Sequence, residues 1–204
     1  MGVLLGHGGS TFAEDPNITA HKARIIWSVD VDPGTIELEA LPAAAGDRDA
    51  IDPAAFASWL SIVAAQDGRE HIVIGDGFRR IRLDVIAGSL AKGPVYPRYR
   101  LGGIGSLRSR VLPLRRLLAL CKHRRFVVSL FPEDPKMGRL VDMLRVHDGI
   151  VCGASLSDLV STLYGRKSDV SDARGYDSMR SRARRLVREA RALAAGGYRQ
   201  LMRS

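Results

Sequence analysis

The interval at which apolar residues recur changes once along this chain, near Ser106. Before that point they alternate with polar residues or form short β-branched runs, as in "RIIWSVDV", "TIELEAL" and "HIVIG". After it, Leu107, Val111, Leu114, Leu117, Leu118 and Cys121 return every three or four residues. A period near two suits a strand with one buried face, and a period near 3.6 suits a helix. The expected fold class is therefore α+β. Residues 1–104 should form a small β-rich part carrying one helix, and residues 105–204 a helical part.

Local signals fill in the elements. Ala23–Leu41 reads as two strands joined at Asp32-Pro33-Gly34, a turn sequence. Asp52-Pro53 resembles an N-cap with proline in first helical position, which predicts a helix over Pro53–Gln66 with Phe56, Leu60 and Val63 on one face. Gly75-Asp76-Gly77 predicts a hairpin, and "GPVYPRYRLGGIG" a punctuated connection with an edge strand. Pro113 predicts a kink or a helix start, and "FVVSLF" a strand or a buried extended segment. Three helices should follow, over Lys136–Asp148, Ser155–Tyr164 and about Asp172–Ala195. Ser155 or Ser157 caps the second, with Gly153-Ala154 as the turn before it, and Gly196-Gly197 ends the third.

Charge is unevenly distributed. The formal net charge is +9. Met1–Asp84 holds thirteen acidic residues against seven basic ones, whereas Pro97–Phe131 holds nine basic residues and no acidic one. Ser155–Ser204 holds eleven basic and five acidic residues. A basic second half implies a polyanionic partner.

Several chemistries find no support. "GHGGST" lacks the lysine of a phosphate-binding loop, and "GGIGS" is not a complete dinucleotide fingerprint. His7, His21, His71, His123 and His147 have no metal-ligand spacing, and Cys121 and Cys152 are too isolated for a disulfide framework. Glu133-Asp134 sits in a Pro-flanked turn, and Tyr198 is expected to pack the tail. No catalytic set, metal or cofactor is expected. No apolar run reaches the roughly 18 residues of a membrane span, and the N-terminus has no signal-peptide pattern, so a cytoplasmic protein is expected.

The C-terminal helix carries the functional argument. At 100° per residue from Met179, Ala183, Leu186, Val187, Ala190, Leu193 and Ala194 share one side. Arg180, Arg182, Arg184, Arg185, Arg188 and Arg191 occupy the other, with Asp177 and Glu189 as local counter-charge. Arginines at i, i+4 repel by a few tenths of a kcal/mol per pair, roughly, so such a face is better explained by a partner than by folding. Helix, glycine-containing turn, short helix, connector and long basic helix follow the order of a helix-turn-helix.

"LSDLVSTLYG … MRSRARRLVREARALAAGGYRQLM" resembles the DNA-binding domain of RovC-type transcription factors, a proteobacterial family linked to type VI secretion regulation. The likeness rests on Gly153-Ala154-Ser155, on Arg184–Arg191 and on Gly196–Leu201, with weaker likeness in "RIIWSVDVDPG", "GDGFRRIRL" and "LPLRRLLAL". It implies a DNA-binding regulator, and with no catalytic set in the sequence no enzyme is expected.

On this reading the third helix enters the major groove of double-stranded DNA. Arg174, Ser178, Ser181, Arg182 and Arg185 are then the candidate base or near-base contacts. Arg180, Arg184, Arg188, Arg166 and Lys167 position phosphates, and Ser157 meets phosphate near the N-terminus of the second helix. A homo-oligomer is expected from the habit of reading two half-sites, with the acidic N-terminal part as an assembly or protein-partner surface. The alternative is an antiactivator-like interaction module whose basic helix binds an acidic protein partner.

Overall fold

The structure, a computed structural model, describes residues 17–19, 26–165 and 173–201. The chain divides after Pro132 into two compact units. The first is built on a five-stranded mixed sheet: β1 (Ile36–Pro42), β2 (Leu60–Ala64), β3 (Glu70–Gly75), β4 (Arg80–Gly88) and β5 (Val95–Tyr99). Spatial order is β2-β3-β4-β1-β5, with β1 and β4 parallel and the other pairs antiparallel. The helix α1 (Gly103–His123) completes this unit.

Alternation dictates the core. Ile36, Leu38 and Ala40 of β1, Ile72 and Ile74 of β3, and Ile81, Leu83 and Val85 of β4 all turn to one face of the sheet. Phe56, Leu90, Phe126 and the α1 residues Leu117 and Leu120 close over them. The residues of opposite parity on β4 also lie deep. Arg82 donates to the carbonyls of Ile72 (2.6 Å) and Trp27 (3.3 Å) and to Asp84 Oδ1 (3.0 Å), which also meets His71 Nδ1 at 2.9 Å. Burial pushes the Arg82 guanidinium down and the nearby Asp32 carboxyl up, against the pull of their opposite charges. The network ties the Trp27 backbone to the sheet.

The hairpin around Gly75-Asp76-Gly77 forms as expected, with Asp76 N–H donating to Arg79 O at 3.1 Å. β5 is the expected edge strand and admits Pro97 where the ladder needs no further donor. The helix expected over Pro53–Gln66 is not there. Asp52 does cap a turn, accepting from Ala54 N–H at 3.0 Å, but only Pro53–Phe56 is helical, as one 3₁₀ turn. Leu60–Ala64 pairs with β3 instead, because Leu60 and Ile62 also fit a period of two and β3 offers an unpaired edge.

Of the first strand expected before Leu41, residues 23–25 lie outside the described residues, and the described part holds an isolated bridge at Trp27 followed by turns. Ser28 O accepts from Val31 and Asp32 N–H, so the described residues there form turns ahead of the Asp32-Pro33-Gly34 bend. Pro113 does not start α1, which runs through it. "FVVSLF" supplies another 3₁₀ turn, Val128–Leu130.

The second unit consists of α2 (Met137–Val151), α3 (Leu156–Tyr164), α4 (Ala173–Ala192) and the short α5 (Tyr198–Leu201). No described helix is long and apolar enough to cross a membrane.

Two glycines separate backbone conformation from close approach. Gly46 and Gly88 have φ of 83° and 82°, a region that disfavours any side chain. A Cβ at Gly46 would meet nothing within 4 Å, whereas one at Gly88 would lie 2.0 Å from Ala40 O on the adjacent β1. Gly46→Ala is expected to lower stability by about 1 kcal/mol, and Gly88→Ala by about 3 kcal/mol or more. Urea unfolding followed by Trp27 and Trp59 fluorescence, both within the first unit, measures the difference. Equal effects would rule out the close β1–β4 approach.

Candidate nucleic-acid interface

The inner stripe of α4 is narrow and small. Ala183 (0% exposed), Leu186 and Ala190 are buried, with Val187 and Leu193 half-buried beside them. Small side chains let α2 and α3 approach, and Met143, Val146, Leu159 and Val160 are buried on those helices. Ala194, expected on the packing side, is exposed, since the inward stripe is narrower than the sequence pattern implies.

A tight connection joins α2 to α3. Gly153 takes φ of 80°, and Ala154 N–H returns to Gly149 O at 2.8 Å. Gly149 itself allows the two helices to cross closely, for a Cβ there would lie 2.7 Å from Leu159 Cδ2. Ser155, not Ser157, caps α3. Its hydroxyl accepts from Asp158 N–H while its own N–H donates to Asp158 Oδ2 at 2.9 Å, a reciprocal capping box. The Ser155 hydroxyl also donates to Asp158 Oδ2 at 2.7 Å, and that bond together with the one from the Ser155 N–H holds the Asp158 carboxyl below its ordinary range. Ser157 is exposed two residues past the cap, and its hydroxyl lies 3.4 Å from the Tyr176 hydroxyl of α4.

Burying the inner stripe turns every arginine of α4 outward. Arg174, Arg180, Arg182, Arg184, Arg185, Arg188 and Arg191 are all exposed, as are Ser178 and Ser181. Arg166 and Lys167 lie outside the described residues. Glu189 gives the arginine face no relief, because its carboxylate is held by Arg139 of α2 through contacts of 2.6, 2.7 and 3.1 Å. Among the described residues, none of the six arginines from Arg180 to Arg191 enters an ion pair.

An open groove of about 730 Å³ runs along this face. It brings Ser181, Arg184, Arg185 and Arg188 together with Arg191, over a floor that includes Leu156, Leu159 and Val187. Ser157, Arg174, Ser178, Arg180 and Arg182 do not line it. Arg139 is the residue that inspection of the sequence misses. Its partner stands fifty positions away, and no local pattern links them. Chemically, the face offers planar, permanently charged donors suited to phosphate oxygens and base edges.

Residues 103–203 match a family model described as "T6SS, Transcription factor, DNA binding domain". No curated protein matches the chain. The matched segment opens with α1, which packs in the first unit, and continues through the whole described helical unit.

The α2–α3 connection has its own test. Gly153 is surrounded by open space, so Gly153→Ala strains only the backbone and is expected to cost about 1 kcal/mol. Ser155→Ala removes the cap and is expected to cost about 1 kcal/mol. The Asp158 part of the cap is present above the ordinary carboxylate value of about 3.9 and is lost as pH falls through its lowered folded value. The Ser155→Ala deficit should therefore persist at neutral pH and shrink in strong acid. Helical ellipticity during melting should change while tryptophan fluorescence stays as in the parent. A deficit independent of pH would sink the capping-box account.

Proposed function

The chain belongs to the RovC DNA-binding domain family, and from that premise we propose that it is a sequence-specific transcriptional regulator reading duplex DNA with α4. One observation carries this reading: the face from Arg180 to Arg191 makes no ion pair among the described residues, and the Glu189 carboxylate within that stretch is held by another helix. On this reading α2, α3 and α4 act as a helix-turn-helix unit, and α4 enters the major groove by its N-terminal half. Arg174, Ser178, Ser181, Arg182 and Arg185 approach base edges, where a bidentate arginine favours guanine. Arg180, Arg184 and Arg188, with Arg166 and Lys167 of the connector, neutralise phosphates, and Ser157 adds a neutral donor beside them. The capping box already places the Asp158 carboxylate at the α3 N-terminus, so that end contributes register more than anion affinity.

Two half-sites read by two copies would supply the affinity that one short face lacks, which makes a homo-oligomer part of the proposal. The groove offers a second reading. Its apolar floor beneath four arginines also suits an acidic amphipathic segment of a protein partner, as an antiactivator-like module would need.

Selection from random duplexes at about 150 mM salt, near physiological strength, tests the choice. The expected result is an enriched palindromic motif. Arg182→Ala or Arg185→Ala should weaken its binding by about 1–3 kcal/mol and relax the preference at one position. With about six phosphates neutralised, log K should fall against log[salt] with a slope near −5, and Arg184→Ala or Arg188→Ala should each reduce that slope by about 0.9. Salt-labile binding with no enriched motif would overturn sequence-specific reading and leave the groove to a protein partner.

A further inference from the structure

The α1 helix carries an exposed surface distinct in sequence and chemistry from the arginine face of α4. Leu117 and Leu120 bury one side of it, and Arg110 is tied there to Glu37 at 2.7 Å. On the solvent side, Ile104, Val111 and Leu118 recur at seven-residue spacing and are 90%, 45% and 68% exposed. Four residues after each comes a cation, Arg108, Arg115 and Lys122, all exposed. Leu107, 39% exposed, and the half-buried Leu114 and Cys121 line the other flank at the same spacing.

Single exposed apolar residues need no explanation, but a contiguous row on one helix marks an interaction surface. Three heptads with an apolar seam and one charged flank form the pattern by which helices choose partners. The choice here is constrained by sign. α1 contains no acidic residue, so a second α1 laid along it would set cation against cation over most of its length. Duplex DNA would accept the cations but leave Ile104 and Leu118 against phosphate and water. From the apolar row together with its basic flank, we infer that the α1 face spanning Ile104 to Lys122 is a docking site for an acidic amphipathic helix of another protein. The partner's apolar stripe covers Ile104, Val111 and Leu118, and its carboxylates meet Arg108, Arg115 and Lys122.

The probe is a labelled, end-blocked 21-residue helix of three heptads, with leucine at the two seam positions and glutamate at both flanking positions. A twin carries lysine in place of glutamate. Fluorescence anisotropy with the full chain is expected to show saturable binding of the acidic helix and at least tenfold weaker binding of the lysine twin. Ile104→Glu and Leu118→Glu, both at exposed sites that fold does not require, should each weaken the acidic probe at least tenfold with unchanged helical ellipticity. The triple variant Arg108→Glu/Arg115→Glu/Lys122→Glu should reverse the preference and bind the lysine twin. That rescue is beyond any purely structural role for the three cations.

Equal binding of both probes, no binding of either, or binding untouched by Leu118→Glu overturns the inference. So does loss of duplex DNA binding in the triple variant without a change in probe preference, which would make the face a phosphate contact. A change of sedimentation mass in Leu118→Glu would instead assign the row to a second copy of the chain and overturn it too.

Discussion

The functional geometry of the second unit depends on three small or medium side chains. Ala183, Leu186 and Ala190 form the only stripe of α4 that is buried among its described residues, and that stripe must face α2 and α3 to leave water. Once it does, rotation about the helix axis is settled and the arginines have one direction to face. Alanine matters as much as leucine here. A larger residue at 183 or 190 would push the helices apart, and overpacking in a tight core typically costs about 1–3 kcal/mol. Arg139 then completes the arrangement by taking Glu189, so the helix that supports α4 from behind also engages one of its two local counter-charges.

The first unit rests on a different constraint, the parallel contact of β1 with β4 at the centre of the sheet. The register slips between Leu38 and Glu39, and the strands come close enough at Gly88 that no side chain fits. α1 follows directly after the edge strand β5 and seals the apolar face with Leu117 and Leu120. The family's segment therefore begins on a helix whose buried face belongs to the sheet and whose outer face is exposed. The two faces of α1 differ in chemistry, the one aliphatic and packed, the other a mixture of exposed aliphatic residues and cations.

Much of this was legible in the sequence where a local pattern has one solution. The Gly75-Asp76-Gly77 hairpin, the edge strand with Pro97, the Gly153 turn and the two-faced α4 all follow from residue type and spacing. The segment after Asp52 was not, because Phe56, Leu60 and Val63 satisfy a helical period while Leu60 and Ile62 satisfy a strand period. The edge of β3 decided between them. Helical spacing from Leu107 to Cys121 predicted α1 but not which face met the sheet, since apolar residues surround most of the helix. The family resemblance read from Gly153-Ala154-Ser155 and the arginine run agrees with the matched segment. Pairings over long separations, Arg139 with Glu189 and Arg110 with Glu37, had no local signature.

Those long-range pairs also change what the charge distribution means. Counted along the chain, an acidic first half precedes a basic second half. In space, β1 brings Glu37 to Arg110 and Glu39 to Arg98, so two acids of the first stretch neutralise two cations of the acid-free run. Asp84 is spent on Arg82 and His71, and Glu70 is spent on Ser89 and the Leu90 N–H. Formal charge therefore overstates how strongly the sheet would be repelled by a polyanion, because these carboxylates are matched within the fold. What remains unmatched is more informative than the total. Among the described residues it includes the outer row of α1 and the arginine face of α4, the one mixed with exposed aliphatic side chains and the other almost wholly guanidinium. Two basic surfaces of such different texture suit two different kinds of partner.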